Sequence, residues 1–256
     1  MKSEKFREGP VLPLQGGVRG GTGPALIFDY GGTLDTGGIH WADLLWQICQ
    51  HHHVPVDHDT FYEAYVHTER RLGREPLILP EHTFLDVLML KVTMQFQHLR
   101  LSHSPQPLIQ EAYTRVQQEM EHTRPLLQQL STLIPHGQTH PLRLLLVSNF
   151  YGNLPTVLRE FRLAPYFSDV IESAVVGIRK PDPAIFRLAL SRNDLKPDEV
   201  LVVGDSLKND IQPAHTLGIP TVWFSPHADA VPPEADHHIT DLRQLPDLLL
   251  QDQPDN

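Results

Sequence analysis

Five short apolar runs, at residues 25–29, 143–148, 169–173, 200–204 and 220–224, most constrain what this chain can fold into. Each is rich in Val, Ile, Leu or Phe and is continuous rather than alternating, the pattern of a strand buried on both faces. Helical patterns lie between most of them. That alternation predicts an α/β fold: a Rossmann-like, doubly wound parallel sheet with helices on both sides. In open sheets of this kind, ligands sit at the carboxyl ends of the strands. Three runs end there in polar residues, at Asp29, at Ser148 and Asn149, and at Gly204 and Asp205. One site built from distant segments is the expectation.

Residues 39–122 hold no strand-like run and read as successive helices, beginning with "WADLLWQICQHH" and ending with "PQPLIQEAYTRVQQEMEH". Asp59 and Ser104 offer N-caps, Gly73 a stop, and Pro105 and Pro107 a sharp break. A helical insert at this point would form a cap over the strand ends. The expected division is a flexible, Gly- and Pro-rich arm over residues 1–23, a core of 24–38 and 123–256, and a helical cap of 39–122. A helix near 124–134 is assigned to the core.

With 256 residues and 40% apolar content, there is ample material for a core. A formal net charge of −10, with only 21 Lys and Arg, argues against a nucleic-acid or anionic-membrane partner. Cys49 is the sole cysteine, so no intrachain disulfide can form, and a reducing cytoplasm fits. No apolar stretch is long enough to span a bilayer, and the first residues lack the apolar segment of a secretory signal. Oligomeric state is not legible.

Four stretches carry chemistry. Asp29 ends the first run, where an Asp otherwise simply starts a turn. Ser148 and Asn149 end the second, where a hydroxyl and backbone N–H groups suit a phosphate oxygen. In "GIRKPDPAIF", Lys180 precedes Pro181 and is held extended, just ahead of a helix capped by Asp182 with Pro183 behind it. In "GDSLKND", Asp205 ends a strand and Asp210 follows five residues later; two carboxylates gathered there suit Mg²⁺, though Asp210 also reads as a dipole-stabilising acid.

Taken in order, "DYGGT", "SN", "KP" and "GDSLKND", each beside a predicted strand end, resemble the motifs of the haloacid dehalogenase (HAD) superfamily of aspartate-nucleophile hydrolases, whose α-helical cap lies where the insert does. The resemblance implies that Asp29 attacks phosphorus to give an aspartyl-phosphate, with Ser148 and Lys180 holding the transferring group. It implies that Mg²⁺ is bound by Asp29, Asp205, Asp210 and the backbone carbonyl of Gly31. Gly32 and Thr33 match the glycine and threonine that turn the chain from the strand, and Gly32 joins Ser148, Asn149 and Lys180 as substrate-binding residues. The implied partner is a small phosphorylated molecule.

The sequence departs from that pattern at one position. Phosphatases of the superfamily read D-x-D-G-T, and the second Asp protonates the leaving group; here Gly31 occupies its place. General acid–base catalysis typically supplies about 10²–10⁴-fold, roughly 3–5.5 kcal/mol of barrier. Asp35, Asp43 and His40 lie near enough in sequence to stand in for it. Three readings follow: a Mg²⁺-dependent phosphate-monoester hydrolase with an atypical or weakened proton step, a non-catalytic phosphate-ligand-binding protein, and a phosphonatase-like C–P hydrolase using Lys91. The last requires Lys91, on an apolar helix, to have a depressed pKa; the plainer account is a lysine snorkelling to solvent. "HHH" at 51–53 is expected not to converge on one metal, since successive helical residues diverge.

Overall fold

The computed structural model describes residues 23–227 and 231–250. The arm expected over residues 1–23 therefore lies, except for Gly23, outside the described residues. Six parallel strands form one sheet: β1 (Ala25–Phe28), β2 (Arg143–Ser148), β3 (Phe167–Glu172), β4 (Val200–Gly204), β5 (Thr221–Phe224) and β6 (His237–Ile239), in the order β3-β2-β1-β4-β5-β6. Every residue of β1, β4 and β5 is buried, as continuous apolar runs require when both sheet faces are covered. The expected α/β, doubly wound architecture is present.

Five of the strands fall on the five apolar runs, with ends shifted by at most two residues. The sixth is a finding. β6 is only "HHI", and it pairs with β5 through Val222–His237, Trp223–His238 and Phe224–Ile239. Two half-buried histidines in a three-residue edge strand carry no apolar run for a sequence reading to detect.

Four helices follow β1: α1 (Trp41–His51), α2 (His58–Leu72), α3 (Phe84–His98) and α4 (Gln106–Thr132). Each of the first three starts on a side chain that accepts from its own first turn: His40, Asp57 and Thr83. α4 differs from the expected pair of helices. It runs unbroken for 27 residues with Pro125 inside it. Its buried positions Val116, Met120, Thr123, Leu127 and Leu130 keep a three-to-four spacing across the expected break, so one face stays in the core throughout. Packing outweighs the local penalty of an internal proline.

α1, α3 and α4 share one apolar cluster with the sheet, in which Leu45, Leu88 and Met120 join Phe28, Leu146 and Val203. Chain order places β1 between β2 and β4. The strand succession reverses direction beside β1, and the crevice at such a reversal is where α/β sheets hold ligands. No helix among the described residues is long and apolar enough to cross a membrane.

Candidate active site

Asp29 is the first residue past β1, and its backbone N–H donates to Val203 O of β4 at 3.1 Å. Asp205 is the first residue past β4. Thr33 ties the two loops together: its hydroxyl donates to Asp205 Oδ1 at 2.9 Å, and it accepts from the Asp205 backbone N–H at 3.0 Å. Trp223 Nε1 of β5 donates to Asp205 O at 2.8 Å, so the neighbouring strand fixes the same loop.

The approach of these loops explains the glycines. A Cβ on Gly32 would fall 2.6 Å from Asp205 Cγ, and Gly32 has φ +96°, a left-handed conformation that strains any other residue. A Cβ on Gly204 would lie 2.5 Å from Asp210 Cγ. Only with glycine at 204 can the turn Leu207–Ile211 fold Asp210 back over the end of β4. There the Ser206 backbone N–H donates to Asp210 Oδ2 at 3.1 Å.

Lys180 completes the cluster. Its ammonium donates to Asp29 Oδ1 at 2.6 Å, to Asp210 Oδ1 at 2.6 Å and to Val147 O at 3.0 Å. All three of its N–H donors are used, and it is buried. Its backbone is clamped in turn: Asn149 Nδ2 donates to Lys180 O, and Lys180 N–H donates to Asn149 Oδ1, both at 2.9 Å. The Asn149 side chain, expected to meet substrate, is thus occupied in positioning the lysine. Ser148 is buried at the end of β2, one residue beyond the carbonyl that Lys180 holds.

Electrostatics follow from crowding three carboxylates around one cation. Ligand oxygens of Asp29, Asp205 and Asp210 all lie within 4.8 Å of one another. Burial, then Asp210 and Asp29, push Asp205 well above the usual carboxylate range. Burial raises Asp210 to about 6 even though Lys180 pulls it down, with Asp29 adding to the rise. Burial opposes the charge on Lys180, but Asp210 and Asp29 outweigh it and hold the ammonium protonated. The lysine is secure; the carboxylates are under-compensated.

The position of the missing acid is open. A Cβ on Gly31 would meet only Trp41, at 3.7 and 3.8 Å from ring atoms. Beside it lies a pocket of about 120 Å³ whose wall includes Gly31, His40, Trp41, Lys91 and Asn149. Of the three nearby candidates for a replacement acid, Asp43 is exposed on α1 and only His40 lines this pocket. His40 Nδ1 accepts from Ala42 N–H at 3.2 Å, so the neutral ring carries its proton on Nε2, and burial lowers its pKa.

Asp35 is buried and holds the loop: it accepts from Gly32 N–H at 2.7 Å and from Trp41 Nε1 at 2.9 Å. Burial pushes its pKa up to about 7 against these two hydrogen bonds. Asp35 and Trp41 together join the β1 loop to α1, a pairing that spacing along the chain does not reveal.

Lys91 departs from both sequence accounts. It does not snorkel, since it is buried beside this pocket and pairs with Glu69 Oε1 at 2.7 Å. Burial lowers its pKa, but Glu69 and Tyr65 more than offset this and leave it raised, the direction opposite to that needed by an imine-forming amine.

Residues 24–218 match the family model described as haloacid dehalogenase-like hydrolase. Over 127 residues, 47% of this chain, the sequence is 34% identical to the phosphoserine phosphatase of Thermus thermophilus, covering 50% of that protein. Over 92 residues, 34% of this chain, it is 40% identical to the glyceraldehyde 3-phosphate phosphatase of Pyrococcus furiosus, covering 38% of that protein. The chain thus spans half or less of the length of these relatives. The magnesium-bound HAD-hydrolase YfnB of Bacillus subtilis has the same fold, with a TM-score of 0.55 over 89% of this chain and 98% of that one at 20% identity.

Proposed function

This chain belongs to the haloacid dehalogenase-like hydrolases, and on that premise we propose that it is a Mg²⁺-dependent hydrolase of small phosphate monoesters. It acts through an aspartyl-phosphate on Asp29, with a proton-transfer step altered by Gly31. One observation carries the reading: three carboxylates and a single buried lysine converge where β1 and β4 end.

That donor set fits magnesium. Asp29, Asp205 and Asp210 supply hard oxygen ligands, and Lys180 alone leaves their charge under-compensated. When bound, the ion supplies charge that lets a phosphate approach the carboxylates. Lys180 aims the Asp29 carboxylate through their 2.6 Å contact, while its other contacts fix the ammonium where the phosphoryl oxygens would sit. An Asp29 oxygen forms a bond to phosphorus as the ester P–O bond breaks, and the departing oxygen takes up a proton. Water then attacks the acyl phosphate, giving inorganic phosphate and restoring Asp29.

In the phosphatases that this chain resembles, the second Asp of the first motif handles both proton transfers. Gly31 cannot. His40, which lines the pocket and has Nε2 left to carry its proton, is our candidate to hydrogen-bond the departing oxygen. Substrates whose leaving groups need little protonation should therefore react best. The phosphatases among the relatives support the reaction class.

4-Nitrophenyl phosphate tests this. Turnover is expected with Mg²⁺ and not with EDTA, and Asp29→Asn should abolish it. Phosphate binding without any turnover would favour the second reading, a binding protein that has given up catalysis, for which Gly31 is the specific support.

A further inference from the structure

The pocket beside Gly31 holds a charged pair that the reaction above does not use. Lys91, on α3, is 6% exposed, and its ammonium stands 5.5 Å from the Trp41 ring centroid, 5.7 Å from Tyr65 and 5.6 Å from Tyr151. Glu69, on α2, faces it at 2.7 Å and accepts from the Tyr151 hydroxyl through its other oxygen, also at 2.7 Å. Glu69 Oε1 is buried and has no aligned hydrogen-bond donor. Lys91 has three N–H donors, and Glu69 is its one ion partner among the described residues. Both ions line the pocket, with Gly31, two residues beyond Asp29, in the same wall.

Burying the Lys91 ammonium against a half-buried Glu69 costs stability that an apolar pair of similar volume would not. Held among aromatic rings with hydrogen-bonding capacity to spare, the pair suits recognition of opposite charges. We propose that this pocket receives the leaving group of the ester and selects a zwitterionic one: an amino-acid-type group whose carboxylate meets Lys91 and whose ammonium meets Glu69. A leaving group with a carboxylate alone is repelled by Glu69, and one with an ammonium alone by Lys91. An uncharged polyol displaces water from the pair and offers neither ion a charge beyond the other. Gly31 adds no side chain to this wall, two residues along the chain from Asp29.

The inference rests on the phosphatase reading for its reaction but not for its binding. Four esters separate the classes: O-phospho-L-serine (both charges), 2-phosphoglycolate (carboxylate only), O-phosphoethanolamine (ammonium only) and glycerol 3-phosphate (neither). The expected kcat/KM for O-phospho-L-serine exceeds each of the others by roughly 10²-fold. Lys91→Met and Glu69→Gln, each checked for folding by thermal unfolding, should bring that ratio to within about tenfold of unity.

A wild-type ratio near unity, or a preference for glycerol 3-phosphate, overturns the inference and leaves the phosphatase reading standing. Should none of the esters nor 4-nitrophenyl phosphate be turned over, that reading fails and calorimetry decides the pocket alone. O-phospho-L-serine binding at least tenfold tighter than glycerol 3-phosphate, lost in Lys91→Met or Glu69→Gln, supports it; equal binding overturns it.

Discussion

Gly31 and Gly32 are adjacent, yet a side chain would meet different fates at the two positions. At Gly32 it would strike the Asp205 carboxylate in a left-handed backbone. Gly32→Ala is expected to disrupt the carboxylate cluster and reduce turnover by at least 10²-fold, which steady-state kinetics and Mg²⁺ titration would show; near-normal kinetics would mean the loops can separate. At Gly31 only the Trp41 ring is near, in ordinary contact. Gly31→Asp should therefore fold and raise turnover of alkyl phosphates by up to about 10²–10⁴-fold, with a much smaller effect on 4-nitrophenyl phosphate. An unchanged alkyl-phosphate rate would show that the proton step has been rebuilt around the glycine. Of the residues that converge here, Asp29 and Asp205 were legible at predicted strand ends, Asp210 by its spacing from Asp205, and Lys180 by the proline that follows it. Asp35 and Trp41 were not assigned as a pair, because their hydrogen bond depends on how the β1 loop meets α1.

Among the elements, the loops after β1 and β4 depend on Thr33, which is fully buried and both donates to and accepts from Asp205. Thr33→Val keeps the volume but removes both bonds. Hydrogen bonds to charged groups are worth about 1.5–3 kcal/mol, and 1 kcal/mol shifts the melting temperature of a chain this size by roughly 2–4 °C. A loss of several degrees is expected in calorimetry, with Thr33→Ser recovering most of it; an unshifted melting temperature in Thr33→Val would show that the stitch is not stabilising. The sequence located five strands but not β6, whose register is set by pairing with β5 rather than by its own composition. In the histidine run the helix end was legible, but the meeting of its first two rings was not. His51 ends α1 and His52 is its cap, so the helical divergence of neighbours lapses and both rings reach Glu111 Oε2 at 2.8 Å.

Across the whole molecule, pH acts through buried acids whose folded pKa values are raised: Asp210 to about 6 and Asp35 to about 7. A raised value means that the folded state keeps a proton the unfolded chain releases near 3.9. The associated stability is complete below that pH and is lost as pH climbs through 6 and 7. His40 and His237, lowered by burial, act oppositely, so comparisons between variants are the clean readout. Asp35→Asn should lose less stability than wild type between pH 5 and pH 8. Mg²⁺ should raise the melting temperature more at pH 8 than at pH 5, since at pH 5 it must displace protons from the carboxylates. Equal Mg²⁺ shifts at both values would argue against a metal on this cluster. The α/β class was legible because every long strand is a continuous apolar run, whereas the strand order arises only when the chain closes on itself. That closure brings two of the chain's three tryptophans to the candidate site: Trp41 walls the cavity, and Trp223 holds the Asp205 carbonyl. The protein thus carries a built-in optical gauge, and its ultraviolet emission should change as ligand or ion arrives, with no label attached.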